Sequence, residues 1–89
     1  MKVYKYINEI PIYRFIFEPI KSNMYVMIYQ NYGLVIDPFI DNSVKELFEE
    51  YNINDVIIIL THEHYDHVSG VEWLCEIFPC EVIASKVAK

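Results

Sequence analysis

The stretch Val56-Ile57-Ile58-Ile59-Leu60-Thr61-His62-Glu63-His64-Tyr65-Asp66-His67 governs how the rest of the chain is read. Its first five residues are apolar and mostly β-branched, which suits a short strand. A strand with no polar alternation is expected to be buried on both faces, as in a parallel sheet. Directly behind it stands a polar run. Three of the six residues from His62 to His67 are histidine and a fourth is Asp66, and the chain has no other histidine. Imidazole and carboxylate together are the donor set of zinc and related transition metals. His62 and His64 are two apart, so on an extended segment they point the same way and can reach one metal. Asp66 and His67 follow once the chain turns, and can face a second. Two close metals can share a bridging water, lower its pKa and clamp the oxygens of a hydrolysed substrate. Ligand sites favour the ends of such strands, where a rigid element hands over to a free loop.

The neighbours of these four residues read differently. Glu63 alternates away from His62 and His64, as a solvated residue or one that holds a ligand from behind. Tyr65 packs or lines the pocket. Thr61 hydrogen-bonds within the loop or orients a ligand. Asp37, at the end of an earlier strand, can approach the cluster, organise its loop through hydrogen bonds, or simply cap its own strand. The ligand count falls short. A structural zinc takes four protein ligands and a catalytic zinc about three plus water, whereas this chain offers two for each metal.

Working outward, residues 3–7 and 12–17 read as strands, the second bracketed by Pro11 and Pro19, since proline is poorly tolerated inside a central strand. Met24 to Tyr29 is a third strand. Gln30-Asn31-Tyr32-Gly33 reads as a turn, with Asn31 and Gly33 suited to unusual backbone angles. Leu34-Val35-Ile36 is the return strand of this antiparallel meander. Beyond Asp37-Pro38 the period changes. Val44, Leu47, Phe48 and Tyr51 recur at helical spacing over 43–51, with Ser43 and Glu46 as a capping box. After the His cluster, Ser69 and Glu72 form a second capping box. A helix then follows with Val71, Leu74, Cys75 and Phe78 as its apolar stripe, closed by Pro79. Val82-Ile83-Ala84 begins a last strand. The order is that of an α/β (α+β) domain spanning residues 1–89.

Composition bounds the partners. The chain has 89 residues, 54% of them hydrophobic, so it collapses rather than staying disordered. Thirteen acidic against seven basic residues give a net charge of −6. That balance repels a phosphate backbone, and no Lys or Arg stands between Lys45 and Lys86, so nucleic acid is unsupported as a partner. Cys75 and Cys80 are five apart, unlike a Cys-x-x-Cys redox or zinc motif, and read as buried thiols. No membrane span and no cleavable leader pattern are evident, and a cytoplasmic location is the expectation.

The run His62-Glu63-His64-Tyr65-Asp66-His67 resembles the His-x-His-x-Asp-His signature of the metallo-beta-lactamase superfamily, and Gly70 matches the glycine that commonly follows it. Asn23-Met24-Tyr25-Val26 and Gly33-Leu34-Val35-Ile36-Asp37 resemble the family's early strands, the second ending in its aspartate. Pro38-Phe39 replaces the glycine usual after that aspartate. The resemblance covers nearly the whole chain and implies the N-terminal part of an αββα sandwich. It implies that His62 and His64 serve one metal, that Asp66 and His67 serve a second, and that Asp66 positions the water nucleophile if only one metal binds. It further implies one or two zinc ions, or iron or manganese, and hydrolysis of an ester or thioester in a small molecule. Histidine at position 64, where the diiron branch carries glutamate, favours the hydrolytic and thioesterase-like branches. The later ligands of the family have no counterpart here. The expectation is therefore that another segment or chain completes the site. The alternative is an inactive fragment or interaction module that oligomerises, as a homo-oligomer or with a complementary chain, through an uncovered sheet face.

Overall fold

The computed structural model describes residues 3–19, 22–61 and 65–84, with backbone alone for Ser22, Tyr65, Asp66, His67, Val68 and Ala84. Six strands form one sheet in chain order: β1 (Lys5–Ile7), β2 (Ile10–Phe17), β3 (Ser22–Tyr29), β4 (Tyr32–Ile36), β5 (Asp55–Leu60) and β6 (Cys80–Ala84). Helix α1 (Asn42–Glu50) joins β4 to β5, and α2 (Tyr65–Ile77) joins β5 to β6. β1 to β4 are antiparallel, while β4, β5 and β6 run parallel. The change follows from the connections. The first four strands are separated by only two to four residues, and parallel neighbours need a crossover long enough for a helix.

β2 extends further back than the prolines suggested, to Ile10, and so contains Pro11. Its ladder with β3 starts at Ile12↔Met27, so the missing N–H of Pro11 removes no bond there. The β1–β2 turn holds Asn8 and Glu9 at φ 49° and 69°, the two positive values of a type I′ hairpin. The β3–β4 turn corrects the reading of Asn31 and Gly33. It is only the pair Gln30-Asn31, with Gln30 the left-handed residue at φ 54°. Gly33 lies inside β4, where a Cβ would come within 2.6 Å of the Phe48 ring. Close approach of α1, and not turn geometry, requires glycine there.

One face of the sheet carries the core. Val26, Val35 and Ile58 lie side by side across β3, β4 and β5 and are fully buried. Onto them pack Val44, Leu47 and Phe48 from α1 and Leu74 from α2. Burial of each such side chain contributes about 1.5–3 kcal/mol. Tyr51, the fourth position of the α1 stripe, is exposed, but its hydroxyl hydrogen-bonds that of Tyr13 at 3.1 Å. Burial, then this bond, push the Tyr13 phenol from 10 up to about 12.

The helix ends depart from the capping-box readings. Asp41, and not Ser43, caps α1: its carboxylate accepts from the Ser43 N–H at 2.9 Å. The other end is a Schellman motif, with Asn52 left-handed at φ 55°, Asn52 N–H on Glu49 O and Ile53 N–H on Phe48 O. α2 starts at Tyr65, four residues before Ser69, so Ser69 lies within the helix and caps nothing. Gly70, Leu74 and Phe78 form its inward line, with Val71 and Trp73 half-buried beside it. Cys75 falls off that line. Contrary to expectation it is exposed, and Cys80 is only half-buried.

β5 also corrects its reading. Val56 and Ile58 are buried, but Ile57 and Ile59, on the opposite face, are half-buried. Tyr25, Met27, Leu34 and Ile36 share that second face through the ladders and are likewise half-buried. Both described helices pack on the first face, so the second is without such cover among the described residues.

Candidate functional site at the strand ends

The parallel register brings the C-terminal ends of β4, β5 and β6 to one edge, with Ile36 opposite Ile59 and Leu60 opposite Ala84. Asp37 follows β4 and Thr61 follows β5. Asp37 sits at φ 54°, a left-handed conformation that costs most residues but that Asp and Asn adopt through short polar side chains. The following proline restricts it further. Such strain is on the order of 1–3 kcal/mol and persists only where surrounding bonds fix it. Here they do. Asp37 N–H donates to Ile59 O at 2.9 Å, and Oδ1 accepts from Thr61 N–H at 2.9 Å. Oδ2 accepts a short bond from the Thr61 hydroxyl. The carboxylate is buried, so these bonds replace the water it lost. Asp37 therefore does more than cap its own strand: it ties the end of β4 to Thr61, and the Thr61 bonds run across to that strand end, not within its own loop.

The next turn of the chain is held as firmly. Pro38 and Phe39 are buried, and the Phe39 ring meets that of Phe17 at 5.4 Å between centroids. α2 leans directly on this segment. A Cβ on Gly70 would lie 2.5 Å from Pro38 O and 2.8 Å from Phe39 Cα. Gly70 therefore lets the start of α2 touch the backbone that follows Asp37. Sequence reading registered this glycine only as a motif position. A glycine inside a helical apolar pattern was the available signal of close packing.

Of the four candidate metal ligands, His62 and His64 lie outside the described residues. Asp66 and His67 belong by backbone to the first turn of α2, not to a loop as the turning chain suggested, and their side chains lie outside the description. Among the described residues no group of three His, Cys, Asp or Glu side chains gathers as a metal site. The structure brings to one place the supports of the run: Thr61 at its start, tied to Asp37, and the first turns of α2 at its end, seated on Pro38-Phe39.

The class defined here is an α/β domain in which a parallel strand leads in sequence into four imidazole and carboxylate residues, with Thr61, the first residue after that strand, tied to Asp37 of its neighbour. Over residues 18–89 the chain matches the metallo-beta-lactamase superfamily, and it belongs to that family. Its relatives include two proteins named hydroxyacylglutathione hydrolase. The one from Francisella philomiragia is 32% identical over 65 residues, covering 73% of this chain and 26% of the relative. The one from Buchnera aphidicola is 38% identical over 69 residues, covering 74% and 28%. The chain thus spans about a quarter of the length of these relatives. No helix among the described residues is long and apolar enough to cross a membrane.

Proposed function

We propose that this chain carries the first metal-ligand motif of a metal-dependent hydrolase acting on a small-molecule thioester. One observation carries the reading: four donor side chains in six residues, directly after a strand whose end is fixed by Asp37 and Thr61. Three imidazoles and a carboxylate suit zinc, with iron or manganese as the other metals of matching chemistry. His62 and His64 hold one ion, and Asp66 and His67 a second. A bound ion of this kind supplies a hydroxide at neutral pH and polarises the carbonyl under attack. The chain's own residues supply orientation. Asp37 and Thr61 fix the point at which the donor run leaves β5. Gly70 lets α2 approach and so sets where Asp66 and His67 begin, and Asp66 positions the water nucleophile where one ion is bound. The thioester class follows the relatives, which are named for the hydrolysis of hydroxyacylglutathione.

The test is elemental analysis of protein purified without chelator, beside a His62→Ala, His64→Ala double variant. Zinc, iron or manganese bound to the parent and lost from the variant is the expected result. Absence of all three, in an assembly that contains the complementary ligands, would remove the proposal. A second reading is favoured by the half-buried Met27, Leu34, Ile36, Ile57 and Ile59: a module that assembles through this face, with its own kind or with a complementary chain. The two readings are compatible, because a partner covering that face can also bring the missing ligands.

A further inference from the structure

The sheet face opposite the described helices carries an ordered pattern of charge. Through the ladders, Lys5, Ile12, Met27, Leu34, Ile57 and Glu81 stand side by side across all six strands. Residues paired across strands share a face, so these six form one row behind Val26, Val35 and Ile58. The four in the middle are apolar: Ile12 is buried, and Met27, Leu34 and Ile57 are half-buried. The two at the ends are exposed and opposite in sign, Lys5 on β1 and Glu81 on β6. Arg14, in the adjoining row, lies 4.3 Å from the Tyr4 ring and Lys5 Nζ lies 5.6 Å from it, so both cations gather toward the β1 border. At the opposite border, an open cavity of about 300 Å³ is lined by Glu81, Asp55, Tyr32, Ile57 and Pro79.

We propose, on the assembly reading given above, that a second copy of this chain packs on this face, related by a two-fold axis that runs along the strands between β3 and β4. Sheets packed face to face keep their strands nearly aligned, about 10 Å apart. A two-fold axis between them lies either across the strands or along them. Across the strands, it sets Lys5 over Lys5 and Glu81 over Glu81, and like charges oppose. Along the strands, the row folds onto itself: Met27 faces Leu34 of the second copy, Ile12 faces Ile57, and Lys5 faces Glu81. Such a contact is self-complementary, so each pair forms twice. It brings each Lys5 ammonium to the cavity where the carboxylates of Asp55 and Glu81 stand beside the Tyr32 ring. Six strands span about 24 Å. With the rows on either side, the two faces bury on the order of 1,000 Å², the lower bound for a specific interface. Apolar contact on that scale holds the copies together, and the end charges choose the axis.

The test is sedimentation equilibrium of the full 89-residue chain beside Lys5→Glu, Glu81→Lys and the double exchange. Melts followed by circular dichroism establish that each is folded; both side chains are exposed, so neither change disturbs the core. The expected result is a species of twice the chain mass. Each single variant should weaken it about 10-fold or more, and the double exchange should return it to within about threefold of the parent. Net charge alone acts differently: Glu81→Lys reduces the charge of −6 and would tighten association. Tighter association of Glu81→Lys, indifference to both single variants, or species larger than a dimer would overturn the proposed two-fold and leave the assembly reading standing. A monomeric parent with a cooperative melt would overturn both.

Discussion

Gly70→Ala is the substitution that separates stability from site geometry. The added methyl carbon would lie 2.5 Å from Pro38 O and 2.6 Å from Pro38 C, where ordinary contact begins near 3.4 Å. Both atoms are backbone, so no side chain can swing aside. α2 must therefore retreat from the segment after Asp37 by roughly 1 Å. Overpacking of this kind costs about 1–3 kcal/mol, and an unyielding neighbour points to the upper half of that range. Alanine in place of glycine returns about 1 kcal/mol of helix propensity. The expected net loss is about 1–2 kcal/mol, or roughly 4–16 °C in Tm for a domain of this size. Zinc affinity should fall further in proportion, by about 10–100-fold, because Asp66 and His67 ride on the displaced turn. Gly33→Ala is the control. It presses on the Phe48 ring at 2.6 Å, on the far side of the core, and should lower Tm while leaving zinc affinity unchanged. The measurements are thermal unfolding and zinc titration of the same samples. An unchanged or raised Tm in Gly70→Ala, with zinc affinity intact, would refute the argument that α2 presses on Pro38-Phe39.

Four further outcomes are expected. Thr61→Val removes the hydroxyl that Asp37 accepts and should cost about 1–2 kcal/mol in urea unfolding; a loss below about 0.3 kcal/mol would contradict the role given to the pair. Tyr13 keeps its proton in the folded chain up to about 12 but releases it near 10 when unfolded. Its contribution is therefore complete below pH 10 and is lost as pH rises from 10 to 12; Tyr13→Phe should flatten the stability profile in that window, and an unaltered slope would count against it. Zinc should bind more weakly at pH 5 than at pH 8, since free imidazole takes up a proton near about 6.5, and equal affinity at both would argue against histidine ligation. In sedimentation the 89-residue chain should self-associate through the face that bears Ile57 and Ile59, whereas a clean monomer with a cooperative melt would sink that expectation.

Much of the fold was legible because periodicity is a property of single elements. The apolar run ending at Leu60 gave β5, and Val44, Leu47 and Phe48 gave the inward face of α1. Boundaries were less legible because capping residues compete. Asp41 and Ser43 are both good N-caps, and only the packed helix shows that the Asp41 carboxylate takes the Ser43 N–H. The start of α2 was hidden for a related reason: Ser69 and Glu72 imitate a cap, while the helix already includes Tyr65. Residue types identified the candidate ligands. The contacts that flank the candidate site were out of reach, since Asp37–Thr61 and Gly70–Pro38 join residues more than twenty positions apart.

The order of the strands leaves the sheet two borders, and they differ in kind. At one, β1 is three residues long and exposed throughout, a poor template for another strand. At the other, β6 offers a longer row of backbone donors and acceptors beside the exposed Val82 and Ile83. Among the described residues, β6 is therefore the border better suited to receive another strand. A segment that docks along β6 lengthens the same platform, and its C-terminal end reaches the edge that carries Asp37 and Thr61 only if it runs in the direction of β4 and β5.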